Sequence, residues 1–127
     1  MKIEYLKGGE ISEKSIHKLV MEYAQEHPTL KKYFKLMLHM PNEGKRTWHY
    51  GKLMKALGMR KGTVDLFIAV PKHGFGGAWL ELKSEHGKLK KDQQEFLNDM
   101  SEQNFFTCVT WSVQEAIDKI EWYLLKN

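Results

Sequence analysis

Apolar positions after Ser12 recur at helical spacing: Ile16, Leu19, Val20 and Tyr23 fall on one face, and the pattern stops before Pro28. This predicts a helix over about residues 12–26 whose polar face carries Glu13, His17 and Glu22. Residues 33–40 (YFKLMLHM) read as a strand that runs into the turn chemistry of Pro41-Asn42-Glu43-Gly44. Thr47 suits the cap of a helix from Trp48 to Leu57, with Gly58 as its stop.

Thr63 to Val70 is β-branched and apolar, Pro71 to Gly77 holds three glycines and a proline, and Ala78 to Lys83 resumes as a strand, which predicts a hairpin. Phe96, Leu97 and Met100 give one face to a helix over Lys90–Met100. Phe105–Trp111 reads as a strand, and Ser112 caps a last helix carrying Val113, Ala116, Ile117, Ile120 and Leu124. The order α β α β β α β α predicts an α/β fold with a central mixed β-sheet flanked by helices.

With 127 residues, 42% of them apolar and no linker or repeat, the chain is expected to form one domain over residues 1–127. Its strongest apolar run, Leu66 to Val70, is far too short to span a membrane, and MKIEYLKGGE lacks the apolar centre of a signal peptide. An intracellular, cytoplasmic protein without membrane attachment is therefore expected. The lone Cys108 excludes an internal disulfide framework and a Cys-based zinc site, and reads as a small buried hydrophobe.

Charge changes the picture more than composition does. Residues 31–61 hold nine Lys/Arg against the single acid Glu43, a net +8, leaving 11 basic and 15 acidic residues, or −4, for the rest. A positive potential so localised points to a polyanion, although a Lys-rich face also occurs as plain solvated surface. Trp48, His49 and Tyr50 inside the run favour nucleic acid, since aromatic rings can meet sugars or bases.

The hairpin carries the candidate chemistry. Asp65 enters an otherwise apolar strand, and in the facing strand period two puts Glu81 and Lys83 on one side while Leu80 and Leu82 enter the core. Three ionisable groups then converge at the edge of a largely buried sheet. Two carboxylates repel unless they share a cation, and a hard-oxygen set suits Mg²⁺ or Mn²⁺. The competing reading is an exposed cross-strand ion network with no chemistry.

Asp65 followed by Glu81-Leu82-Lys83 resembles the PD-(D/E)XK nuclease core, known from restriction endonucleases. The ordered series Pro41-Asn42-Glu43-Gly44-Lys45-Arg46, Gly58 to Asp65, Glu81-Leu82-Lys83, and Gly87-Lys88-Leu89 leading to Gln93 resembles the VRR-NUC nucleases in their small stand-alone form, often phage- or prophage-encoded. The resemblance implies Asp65, Glu81 and the backbone carbonyl of Leu82 as metal ligands. It implies that Lys83 orients or activates the attacking water, and that Gln93 and Glu13 support the site. It departs from the family at two positions: Val64 replaces the usual Pro and His17 a common Gln.

The chemistry so implied is metal-dependent hydrolysis of DNA phosphodiesters, with Lys45, Arg46, Lys52, Lys55, Arg60 and Lys61 holding phosphates nearby. Stand-alone members of the resembled family are linked to Holliday junctions, so branched or four-way DNA and a homodimer are expected. The rival is a non-catalytic helix-turn-helix protein, because Leu53 to Val64 resembles the helix, turn and start of a recognition helix. The six histidines show no metal-binding pair at helix spacing, with His17 the one to test, and Gly74, Gly76 and Gly77 read as a hairpin tip.

Overall fold

The computed structural model describes residues 11–40 and 48–127. Helix α1 spans Glu13–Glu26, and its first turn is closed by Ser12, whose Oγ accepts the Ser15 N–H at 3.2 Å. Its buried face is Ile16, Val20 and Ala24. Strand β1 covers only Met37–His39, because Leu30–Leu36 forms a 3₁₀ helix where the apolar pattern predicts a strand. His27 decides this: its Nδ1 accepts the N–H groups of Thr29 (3.0 Å) and Leu30 (3.1 Å), and its carbonyl accepts that of Lys31 (3.0 Å). These local bonds start the turn, and fully buried Leu30 anchors it.

The remaining elements follow the predicted order: α2 (Trp48–Ala56), β2 (Leu66–Ile68), β3 (Ala78–Leu82), α3 (Lys91–Glu102), β4 (Phe106–Thr110) and α4 (Val113–Leu125). The helix-turn-helix reading fails here, since the residues that would form a recognition helix enter strand β2. The strands form one sheet in the order β1-β2-β3-β4. The first two pairings are antiparallel and β3–β4 is parallel, with α3 as the crossover, so the sheet is mixed as expected.

The two sheet faces are covered differently. Leu66, Ile68, Ala78, Leu80 and Leu82 pack on one side with α1 and with Val113, Ala116, Ile117, Ile120, Tyr123 and Leu124 of α4. On the other side Trp79 and Val109 meet Val64, Phe96 and Leu97 under α3. By alternation Glu81 and Lys83 follow Trp79 onto the α3 side. Glu81 lies on inner strand β3 and Lys83 directly follows it, not at the sheet edge that the sequence suggests.

The two ends of the sheet also differ. The β2–β3 hairpin tip is tied to the end of α4: Lys72 Nζ donates to the Leu124 carbonyl at 2.9 Å, and His73 Nε2 lies 3.0 Å from that of Tyr123. The Lys72 ammonium suits the negative end of a helix. The opposite end, where parallel strands β3 and β4 both finish, is the end that carries Asp65, Glu81 and Lys83. Among the described residues no helix is long and apolar enough to cross a membrane.

Candidate active site

Asp65 stands one step beyond the Leu66–Leu80 pair and so faces Glu81 across the β2–β3 ladder. The two are cross-linked through the main chain. Asp65 N–H donates to Glu81 Oε1 at 3.2 Å, and Leu82 N–H donates to Asp65 Oδ2 at 2.9 Å. Both side chains are withdrawn from water, Glu81 to 1% exposure and Asp65 to 6%, and Lys83 retains only 4%. An exposed ion network is therefore excluded; burial at this depth demands a partner for each charge.

Glu81 Oε2 receives two donors, Lys83 Nζ at 3.0 Å and Gln93 Nε2 at 2.9 Å. The Gln93 amide has one usable orientation. Its Oε1 accepts the Lys90 N–H at 3.0 Å, at the start of α3, which leaves the NH₂ group to face Glu81. The capping of α3 thereby sets the donor on the carboxyl.

Burial, then the nearby charge of Asp65, push the Glu81 carboxyl up to about 8, against the smaller opposing pull of Lys83. Asp65 moves the other way. Burial works against its ionisation, but the His17 contact, the Leu82 N–H and the Glu81 carboxyl outweigh it and hold Asp65 below the usual carboxylate range. One proton thus relieves the pair, and it resides on Glu81.

That arrangement fits a divalent cation, which would replace the proton as the charge shared by the two carboxylates. Among the described residues no group of three or more His, Cys, Asp or Glu side chains is arranged to hold a metal. A cation here would rest on two carboxylates, with a main-chain carbonyl and water completing its shell. Such a sparse, all-oxygen set is what Mg²⁺ tolerates, since it keeps several waters.

Helix α1 supplies the third wall. Glu13 and His17, one helical turn apart, are turned toward the strand ends instead of forming a solvent face. His17 Nε2 lies 3.2 Å from Asp65 Oδ2, and its ring meets His39 edge-on at 5.0 Å. These histidines are 22 positions apart in the chain, so helix spacing could not reveal them. A Cβ added at Gly87 would lie 2.9 Å from Glu13 Oε2 and 3.3 Å from Lys83 Cβ, so the glycine is what admits the Glu13 carboxylate beside Lys83.

The basic residues divide. Lys52 and Lys55 are exposed on α2, and Lys45 and Arg46 lie outside the described residues. Arg60 pairs with Asp99 of α3 at 2.7 Å and sits 5.2 Å from the Phe96 ring, while Lys61 approaches Asp92 at 3.9 Å. Arg60 is therefore neutralised against α3, while the Lys61 side chain stays 92% exposed. Cys108 is half-buried against the core, and burial pushes its thiol up, as expected of an inert cysteine.

No protein-family model and no curated protein matches the chain. A solved structure described as a VRR_NUC domain protein superimposes over 91% of this chain and 90% of its own at a TM-score of 0.78, with 18% sequence identity. The chain has the α/β fold of that VRR_NUC domain protein, the restriction-endonuclease-like architecture that the Asp65 and Glu81-Leu82-Lys83 pattern implies.

Proposed function

We propose that residues 1–127 form a single nuclease domain of VRR-NUC type that hydrolyses DNA phosphodiesters with Mg²⁺ or Mn²⁺. The observation that carries this reading is the buried cluster in which Asp65, Glu81, Lys83 and Gln93 meet at the ends of β3 and β4.

Asp65, Glu81 and the Leu82 carbonyl would hold the ion. When bound, Mg²⁺ or Mn²⁺ supplies Lewis acidity to the phosphodiester and its attacking water. Lys83 is placed to orient that water and to offset the negative charge that grows on the phosphoryl oxygens as the new P–O bond forms and the leaving P–O bond breaks. The attacking water releases its proton to solvent, and the leaving oxygen takes one from solvent. Gln93 keeps the Glu81 carboxyl from turning, and His17 does the same for Asp65 Oδ2. Glu13 adds negative charge on the α1 side. Lys45, Arg46, Lys52, Lys55 and Lys61 are the phosphate contacts of this reading, and Arg60 serves it while paired with Asp99 on α3.

The reading extends to a structure-selective, Holliday-junction-resolvase-like enzyme of intracellular and phage or prophage type. One cluster per chain opposes one strand, so paired cuts call for a homodimer. The apolar face of α1 is consumed by the core, whereas Leu36 (36%), at the end of the 3₁₀ helix, and Leu38 (43%), in edge strand β1, remain exposed, which supports this edge as the dimer surface. The test is cleavage of linear, flapped and four-way DNA with and without Mg²⁺ or Mn²⁺. Metal-dependent product from wild type and a loss of at least about 10²-fold in Lys83→Ala support the reading; no product from wild type ends it.

A further inference from the structure

Trp111 follows the last residue of β4 and is 38% exposed, an unusual position for a residue that normally buries most of its ring. It is not loose. Its indole N–H donates to the Gly87 carbonyl at 2.9 Å, and its main-chain N–H donates to Glu115 Oε1 at 3.0 Å. Among the described residues no aromatic ring or cation packs on it. The other large exposed indole with described surroundings, Trp122, has one face taken by His73 at 4.3 Å and lies at the opposite end of the sheet.

The neighbours of Trp111 are those of the candidate site. Lys83 N–H donates to the carbonyl of Thr110, the preceding residue, at 2.8 Å. Gly87, which holds the indole, is the glycine against which Glu13 and Lys83 pack. The ring is thus fixed at the rim of the corner where Lys83 emerges from the sheet, oriented by its one polar atom, with apolar surface left to water.

We propose that Trp111 is a stacking platform for an unpaired nucleobase next to the phosphate to be cut. This rests on the nuclease reading and names its substrate class: DNA with an unstacked base at a flap, nick or junction. A continuous duplex hides its base faces, so a fixed aromatic ring discriminates against it without reading sequence. Because two hydrogen bonds already hold the residue, little conformational freedom remains to be lost on binding.

The test is the affinity of the full chain, without divalent metal, for a dye-labelled oligothymidylate and for a blunt duplex, by fluorescence anisotropy. Trp111→Ala is expected to weaken oligothymidylate binding by about 5- to 150-fold and duplex binding by less than about twofold, with Trp111→Phe close to wild type on both. If Trp111→Ala fails to fold, Trp111→Leu keeps the bulk without the π-face and carries the same comparison with Phe. Equal weakening by Ala and Phe would make Trp111 a latch for the Gly87 turn and overturn the proposal, as would unchanged affinity in Ala or no oligothymidylate binding by wild type. Binding through Trp111 without metal-dependent cleavage would sink the nuclease reading and leave the platform standing; cleavage with indifferent Trp111 variants would do the reverse.

Discussion

Asp65 and Glu81 hold each other crosswise: the N–H of Asp65 donates to the Glu81 carboxyl at 3.2 Å, and the Asp65 carboxylate accepts the N–H of Leu82, next to Glu81, at 2.9 Å. Each side chain is thereby tied to the opposite strand's backbone. The two carboxyls cannot swing apart to relieve their repulsion, so the relief must come from a proton or a cation.

Stability of the metal-free protein should therefore fall with rising pH. Glu81 titrates near 8 in the folded chain against an ordinary 4.5, so the folded state binds its proton more tightly. The free energy of unfolding decreases across that window and levels off above it, by an amount on the order of a few kcal/mol. Asp65, held low, acts oppositely: its contribution is lost as pH falls below the ordinary carboxylate value of 3.8. Thermal melting in EDTA should show the decline between mildly acidic pH and pH 8. Glu81→Gln should flatten it and melt higher than wild type at the alkaline end, and Mg²⁺ should restore wild type there. A flat wild-type profile would contradict the shared-proton arrangement.

Lys83→Ala should reduce cleavage by about 10²- to 10³-fold or more while DNA affinity stays near wild type, since the buried ammonium faces Glu81 and not the surface. Isothermal titration should find weaker divalent binding in Asp65→Asn and Glu81→Gln, each of which removes a charged oxygen donor. Undiminished metal affinity in both variants would place the ion elsewhere.

Gln93→Leu should lower activity about 10- to 100-fold through loss of the donor on Glu81. It also leaves the Lys90 N–H without its acceptor, at a cost of about 1 kcal/mol of stability. Gln93→Glu keeps the acceptor for Lys90 but sets a third buried carboxyl against Glu81, so it should be slow as well and, unlike Gln93→Leu, lose further stability as pH rises. Chemical denaturation beside single-turnover rates separates the two effects.

Salt dependence of DNA affinity tests the basic segment. Neutralising Lys45 and Arg46 together should flatten the slope of log affinity against log salt by about one to two. Arg60→Ala should change the slope less, because its guanidinium already pairs with Asp99 at 2.7 Å. Equal flattening by both would mean that Arg60 leaves Asp99 for a phosphate.

Gly62→Ala should destabilise the fold by about 2 kcal/mol or more. Gly62 sits at φ +86°, and an added Cβ would meet the Asp92 carbonyl oxygen at 2.5 Å, so the loop entering Asp65 could no longer lie against α3. Its denaturation midpoint, compared with that of Gly51→Ala in α2, where an added Cβ meets nothing within 4 Å, checks this.

Period two put Glu81 and Lys83 on one side of their strand, the resemblance of Asp65 and Glu81-Leu82-Lys83 to a nuclease core supplied their role, and the helix caps at Ser12 and Ser112 were written in the chain. The 3₁₀ helix at Leu30–Leu36 was not, because its cause is a side chain upstream, His27, whose local bonds override the strand tendency of the segment. His17 could be flagged but not assigned. Its pairing with Asp65 depends on α1 crossing the strand ends, which arises from packing of Ile16 and Val20 on Leu80 and Leu82. Trp111 carried no signal at all, since a Trp ending a strand reads as core until its exposure and its bond to Gly87 are known.

Glu81 lies in β3, Asp65 directly precedes β2 and Lys83 directly follows β3, the two inner strands of the sheet, while Leu36, Leu38 and the exposed residues of α2 lie outside them. Main-chain bonds common to all residues, more than side-chain identity, fix where the reactive atoms stand. The periphery is released from that duty. On the proposed nuclease reading, changes in the basic segment, the edge strand or the rim can retune which DNA shapes are engaged without displacing the chemistry, so recognition and reaction can evolve on separate schedules.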